Sequence, residues 1–400
     1  MKIIYCLILL MCASFLQSAK KYTPGKLDIR IEIVDGIKKV TGTSCFSLEN
    51  HFVWCGSVCS GDDQKYYLFY SAMESGCNSP VFNQAWVLGS KLGVAVSDTP
   101  YGNFKDLGFF YNIDGYTADS SSWDAQTSSN THIQKFDGKY YLYYCGSSDP
   151  GEFATGAKGL TKRDRVQQNQ KIGVLCFNSI AELLEGKYTK NEHPLLSPRT
   201  RVKPNTIVNP SSEGTVAMPD NIIVVNPSVV YRPCDSTYLL YFKGNIYDPY
   251  WRGLHGVATS KSPTGPFIAL DEVVFDLKIL TNEKLSAEDP YVWYHRKDKC
   301  FYAVFKDFTG HFTKSEPCLA IMQSQDGINW TLPENSLFAK KELSLLNGDV
   351  IAVNRLERPQ LFFDENDNPI VLYAACAIED INKKNDGSSF NVHIPITITK

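Results

Sequence analysis

Five carboxylates stand where they could move protons: Asp124, Glu288, Asp289, Asp307 and Glu357. Three of them sit in two similar runs, Glu288-Asp289-Pro290-Tyr291-Val292 and Glu357-Arg358-Pro359-Gln360-Leu361. A pair of carboxyl groups can divide one task, the first protonating a departing oxygen while the second takes a proton from the attacking group. Asp289 is expected to act as the base or as the modulator of its partner's pKa, Glu357 as the proton donor and Asp124 as a second base. Each has a plain alternative as a loop carboxylate that caps backbone amides or pairs with Arg358, Lys243 or Lys306. No phosphate loop, zinc cluster or nucleophile elbow accompanies them. The seven histidines are scattered without ligand spacing, so no metal ligands are assigned. Among them, His255 and His311 are expected near the functional face.

The elements that must hold these groups repeat five times. A tyrosine-rich strand returns as KYYLFYS (Lys65–Ser71), KYYLYYC (Lys139–Cys145), TYLLYFK (Thr237–Lys243), CFYAVFK (Cys300–Lys306) and IVLYAAC (Ile370–Cys376). Each is followed by a version of the strand that is clearest in HGVATSKSPTGPF (His255–Phe267). Copies of one supersecondary unit at such a period imply a stacked or radial repeat. The reading is all-β: a five-bladed β-propeller of four-stranded antiparallel blades. Its boundaries are a leader at 1–19 and one domain over 20–400. The blades fall near 45–115, 120–200, 218–275, 284–340 and 350–400. The strictly alternating Leu27–Ile33 is expected to close the ring beside Val392–Ile398.

A third strand precedes each tyrosine-rich one, and aligning the copies gives a column: Cys55, Asn130, Asn226, Asp289 and Arg358. This strand is innermost in a blade, so the column should ring the central funnel. The prolines that follow three of these residues are tolerable where no ladder hydrogen bond is needed. The long insertions Ala72–Ser90, Ser148–Gln170, Gly244–Gly253 and Phe308–Pro317 fall on the same face, where function is expected.

Composition narrows the classes. Net charge is −3 with both signs dispersed, which offers no basic face for nucleic acid. The apolar run Ile3–Leu16, followed by small residues, reads as a secretory leader and not as a membrane span, implying a secreted, extracellular or periplasmic protein. Ten of the twelve cysteines lie beyond it, an even number suited to disulfides. Cys300 and Cys318 lie equidistant from Thr309, so a regular hairpin there would bridge them.

The blade starts NPSVVYR and EDPYVWY, the GVATSKSPTGPF strand and their tyrosine-rich partners resemble five-bladed glycoside hydrolases of families 43, 32 and 117. More narrowly, WCGSV, EDPYVWY and ERPQLFF resemble secreted glycoside hydrolase family proteins. The resemblance covers Phe52 to Cys376 and implies hydrolysis of a glycosidic bond in a poly- or oligosaccharide. The expected mechanism is inverting, with two carboxyls about 6.5–9.5 Å apart so that a water fits between them. It also implies an aspartate in blade one as the base, where this chain has Cys55. That departure keeps a second reading open, a carbohydrate-binding propeller that has lost its base. Trp54, Asn130, Asn226, Lys243, Tyr250, Trp251, Asp307, His311 and Arg358 are the expected sugar contacts. The aromatic ones would stack on C–H faces, and the cations would meet an acidic sugar or neutralise the carboxylates. No cofactor is required, though a channel ion such as calcium stays open. The chain is expected to be a monomer with a carbohydrate as its partner.

Overall fold

The computed structural model describes residues 20–34, 36–111, 121–154, 157–199, 218–247, 251–276 and 287–399. The leader expected at 1–19 lies outside them. Five antiparallel sheets radiate from one axis, and sequential strands are neighbours in each. Blade one comprises His51–Ser60, Tyr66–Glu74, Lys91–Ser97 and Lys105–Tyr111. Blade two comprises Thr127–Phe136, Lys139–Ser147, Lys171–Phe177 and Thr189–Lys190. Blade three has Val225–Arg232, Thr237–Tyr247, Trp251–Ser260 and Ile268–Ala269. Blade four has Ala287–His295, Cys300–Asp307, Cys318–Ser324 and Leu337–Lys340. Blade five has Arg355–Phe363, Pro369–Ala377 and Ser389–Thr399. No helix among the described residues is long and apolar enough to cross a membrane.

The repeated sequence signature has a packing cause. A glycine in the third strand lies directly across from an aromatic residue in the second: Gly93 faces Tyr70, Gly173 faces Tyr144 and Gly256 faces Phe242. A Cβ on Gly93 would stand 2.3 Å from the Tyr70 hydroxyl, and one on Gly256 would stand 2.5 Å from Phe242 Cζ. The missing side chain therefore makes room for the ring, a close approach that strand glycines often mark. Tyr70, Tyr140, Tyr143, Tyr144, Tyr241 and Tyr373 are among the largest fully buried side chains, so the tyrosine strands form the core between blades.

The ring closes through the N-terminal segment, but by a strand earlier than the alternating one. Lys21–Pro24 pairs with Ile396–Thr399, and Cys45–Phe46 pairs with Asn391 and Val392 on the same long strand. Leu27–Ile33 instead buries Leu27 and Ile29 in the core beneath blades four and five, with Leu27 N donating to Ser344 O (2.9 Å). Arg30–Val34 then forms a hairpin with Ile37–Thr41 and leaves Ile33 72% exposed. Alternation reported a half-buried segment correctly and its partner wrongly. Tyr22, buried against Phe338 at 5.0 Å, anchors the true closing strand.

The expected Cys300–Cys318 bridge also gives way. The blade-four hairpin pairs Asp307 with Cys318 and Phe301 with Ser324, so the two cysteines stand at opposite ends of the ladder. All ten cysteines from Cys45 to Cys376 are free thiols.

Candidate active site

Every blade's first strand carries the same irregularity. The register slips between Trp54 and Ser57, between Val225 and Ser228, between Glu288 and Tyr291 and between Glu357 and Gln360, with the matching slip in blade two. The residue in each slip has positive φ: Cys55 56°, Asn130 60°, Asn226 60°, Asp289 59° and Arg358 55°. Asparagine and aspartate tolerate this left-handed conformation better than other non-glycine residues, whereas cysteine and arginine are uncommon in it. A bulge of this kind re-aims a side chain. It also explains the prolines, because Pro227, Pro290 and Pro359 occupy the unpaired position.

The five side chains close a hydrogen-bonded ring across the channel. Cys55 Sγ donates to Asn130 Oδ1 (2.9 Å), Asn130 Nδ2 to Asn226 Oδ1 (2.7 Å) and Asn226 Nδ2 to Asp289 Oδ1 (2.6 Å). Arg358 completes the circuit, giving Nη1 to Asp289 Oδ1 (3.0 Å) and Nε to Cys55 Sγ (3.3 Å). Its backbone N–H takes Asp289 Oδ2 (3.2 Å). The ring thus runs from one donor, Arg358, to one terminal acceptor, Asp289. Burial raises the Cys55 thiol to about 11 and keeps it a neutral donor. Burial also raises Asp289, to about 6, against the pull of Arg358 and with a further push from Glu288 and Glu357. Both Asp289 oxygens are thus engaged within the ring, which it anchors as an acceptor.

Two residues further along each strand, a second layer plugs the channel. Ser57 Oγ donates to Gln360 Oε1 (3.0 Å), and His132 Nδ1 meets the same oxygen (3.0 Å). Val229 N–H donates to His132 Nε2 (2.9 Å), and burial lowers this imidazole to about 4, leaving it neutral. Among the described residues no cluster of His, Cys, Asp or Glu could hold a metal ion.

One residue before the ring lies the layer that faces solvent: Trp54, Ser129, Val225, Glu288 and Glu357. All five line a funnel of about 280 Å³, together with Phe82, Asn83, Trp86, Gln167 and Gln170 from the first two insertions. Those insertions carry the short helices Phe82–Leu88 and Lys162–Gln167. Arg163 ties them together, donating Nε to Asn83 O (2.8 Å) and lying over Trp86 at 5.7 Å. The aromatic wall is continuous, with Trp54 5.0 Å from Phe82 and Arg355 lying 5.8 Å over Trp54.

The second strands of the first four blades reach the next blade at this height through a polar side chain. Ser71 accepts from Asn130 N (3.0 Å), and Cys145 accepts from Asn226 N (3.0 Å). In the next two blades the equivalent residue is a lysine: Lys243 contacts Glu288, and Lys306 contacts Glu357. Lys306 also stands 3.9 Å from Glu288, so one ammonium spans both carboxylates, and Arg355 approaches Glu357 at 3.5 Å. Burial works against charge on Glu288, but Lys243 and then Lys306 outweigh it and hold the group at about 2.

The structure therefore brings Asp289, Glu357, Trp54, Asn130, Asn226, Lys243 and Arg358 into one funnel. Three expected site residues stand elsewhere. Asp124, 2% exposed, is clamped by Tyr111 (2.6 Å), Tyr144 (2.6 Å), Ser122 (2.5 Å) and Lys190 (3.0 Å). Burial opposes its charge, yet these partners lower its pKa, and through Tyr111 and Lys190 it joins the outermost strands of blades one and two. Asp307 is fully buried and caps its own loop, accepting from Thr309 N (3.1 Å), Gly310 N (2.8 Å) and Phe312 N (3.1 Å). His311 is exposed on that loop and meets Thr309 Oγ1 (2.8 Å). Tyr250 lies outside the described residues, as do the side chains of Tyr247 and Trp251. Glu288, one of the five carboxylates singled out in the sequence, joins them in the funnel one residue before Asp289, and Lys306, named there as a pairing partner, reaches it from the side.

No protein-family model matches the chain, and no curated protein does. Solved structures do. A family 117 glycoside hydrolase produced by the marine bacterium Zobellia galactanivorans is similar over 95% of this chain and 90% of that one, at 12% identity and a TM-score of 0.55. An α-L-arabinofuranosidase from Lactobacillus brevis is similar over 86% and 91%, at 12% identity and a TM-score of 0.53. A third structure, described as a glycoside hydrolase, gives 11% identity over 88% and 90%, with a TM-score of 0.57. At such identities the likeness is one of fold: this chain has the five-bladed propeller that these glycoside hydrolases share.

Proposed function

We propose that the chain is a glycoside hydrolase that cleaves a poly- or oligosaccharide in the funnel. Glu357 is the proton donor and Glu288 the ionised carboxylate. One observation carries this reading: two glutamates at equivalent positions of neighbouring blades line one open funnel and share the Lys306 ammonium. The shared Lys306 brings the nearest oxygens of the two groups closer than the separation of about 6.5–9.5 Å in an inverting pair, so the anomeric configuration of the product decides the course. In the inverting one, Glu357 gives its proton to the bridging oxygen as that oxygen leaves the anomeric carbon. Glu288 takes a proton from the water whose oxygen forms the new bond. Against its burial, Lys243 and Lys306 lower the pKa of Glu288 and so favour its charged form. Lys306 offsets the repulsion between two nearby carboxylates. Trp54, Phe82 and Trp86 offer faces for sugar C–H surfaces, and Asn83, Gln167, Asn245 and Asn382 supply amides for hydroxyls.

A second reading, a sugar-binding propeller without turnover, is favoured by Cys55 in the blade-one column and by the cation already paired with every funnel carboxylate. The two separate on a panel of aryl glycosides and plant and algal oligosaccharides, with products followed by chromatography and anomeric configuration by NMR. Turnover that falls about 10²- to 10⁴-fold in Glu288→Gln and in Glu357→Gln supports hydrolysis by this pair. Binding without turnover in the wild type supports the second reading, and turnover indifferent to both substitutions removes the assignment.

A further inference from the structure

Behind Glu357 the funnel continues into a cleft of about 360 Å³, which shares Glu288, Arg355 and Glu357 with it. Its remaining wall includes Lys306, Phe308, Pro317, Lys341 and Asn354. The charges here can be paired off. Glu288 is met by Lys243, Glu357 by Lys306 and Arg355, and both oxygens of Asp307 are taken by backbone N–H groups of its own loop. Lys341 is left over: among the described residues its ammonium has no carboxylate and no hydrogen-bond acceptor. Its backbone is fixed, because its carbonyl accepts from Val353 N (3.1 Å). Burial lowers its pKa and Lys306 lowers it further, while Glu357 pulls the other way without bonding it and Arg355 adds a smaller push. The side-chain amide of Asn354 is likewise unengaged among the described residues and lines the same cleft.

An ammonium with no bonded partner among the described residues, beside an apolar face and an open amide, is suited to a negatively charged group on a sugar. We propose that this cleft is a subsite for an anionic substituent, a carboxylate or a sulfate ester, on the sugar unit next to the bond held at Glu357. Lys341 is its counter-ion and Asn354 its hydrogen-bond donor. Phe308, whose ring lies 3.7 Å beneath the Lys306 ammonium, and Pro317 flank the sugar ring. The inference rests on the funnel as the carbohydrate site and names the class of carbohydrate.

Equilibrium binding to the full chain tests it independently of turnover. Oligogalacturonides are compared with their methyl esters, and sulfated galactan oligosaccharides with desulfated ones, by calorimetry at low and high salt. The expected result is at least tenfold tighter binding of one anionic series than of its neutral counterpart, weakening as salt rises. The series that shows the preference identifies carboxylate or sulfate. Lys341→Gln should reduce that preference at least tenfold, and Lys341→Arg should keep most of it. Equal binding of charged and neutral partners, a preference that survives Lys341→Gln, or no binding of any charged oligosaccharide at millimolar concentration overturns the proposal. A charge preference without hydrolysis would retain this subsite and remove only the hydrolase reading. Hydrolysis without a charge preference would do the reverse.

Discussion

Two layers of the channel, one residue apart on the same five strands, have opposite characters. The inner layer, Cys55 to Arg358, is closed: its side chains satisfy one another in a circuit and its backbones are all left-handed. The layer just outside, Trp54 to Glu357, is open to the funnel, and its charged members reach sideways to lysines of the preceding blade. Closure serves assembly, since a ring drawing one residue from each blade ties the five sheets together at the axis. Openness is what the proposed chemistry needs, because a carboxylate can act on a ligand only where its oxygens face one.

The sharpest way to break this contrast is to remove the donor at the head of the ring. Arg358→Met strands Asp289 as a buried charge, and losing one partner of such a pair costs about 3–5 kcal/mol. Urea unfolding followed by tryptophan fluorescence should show a loss of this size; a variant as stable as the wild type would mean that the ring does not hold the blades.

Replacing Cys55 comes next in size. Cys55→Asp introduces an acceptor where a donor is needed against Asn130 Oδ1, and leaving that buried oxygen unmet costs about 1–3 kcal/mol. Cys55→Ser keeps a donor and should cost less than the aspartate by the same urea measurement. If the aspartate were the more stable of the two, the polarity of the ring would be wrongly drawn.

The open layer should answer to pH instead. The folded-state pKa of Glu288 lies at about 2, below its ordinary 4.5, so its stabilising contribution is complete above pH 4.5 and disappears as pH falls towards 2. In Lys243→Met the carboxylate loses its nearest cation, so its folded-state pKa moves up towards the unfolded value. The stability lost between pH 4.5 and 2 should then be smaller than in the wild type. Melting temperatures between pH 7 and 3 for the two proteins check this. Identical acid profiles would mean that Lys243 does not hold Glu288.

The architecture was legible because the tyrosine-rich strand and its partner recur five times in register, and in the first three blades a strand glycine makes room for the facing aromatic ring. The face that carries the funnel was legible for a related reason: the Asn-Pro, Asp-Pro and Arg-Pro steps mark the bulges that line the axis. What a linear alignment could not show is which of two adjacent residues is spent on contacts across the channel. Asp289 looks free until Asn226 and Arg358, 63 and 69 residues away in the chain, are seen to occupy it. Lys306 and Asp307 differ in the same way, the first opposite Glu288 across the ladder and the second turned into its own loop. Asp124 was misplaced because Tyr111, Tyr144 and Lys190 approach it from separate strands with no local signature. The misread disulfide came from putting the hairpin centre at Thr309, when the loop before Cys318 shifts it.

The claim that chemistry sits one residue outside the ring is tested most directly by making Glu357→Gln and Asp289→Asn and measuring both turnover and unfolding free energy for each. Glu357→Gln should lose about 10²- to 10⁴-fold in kcat with little change in stability. Asp289→Asn should lose stability, while its folded fraction retains kcat within about tenfold, since a group that only anchors the ring does not transfer the proton. A full-strength Glu357→Gln enzyme beside a stable but inactive Asp289→Asn would contradict the account and return the catalytic role to the ring.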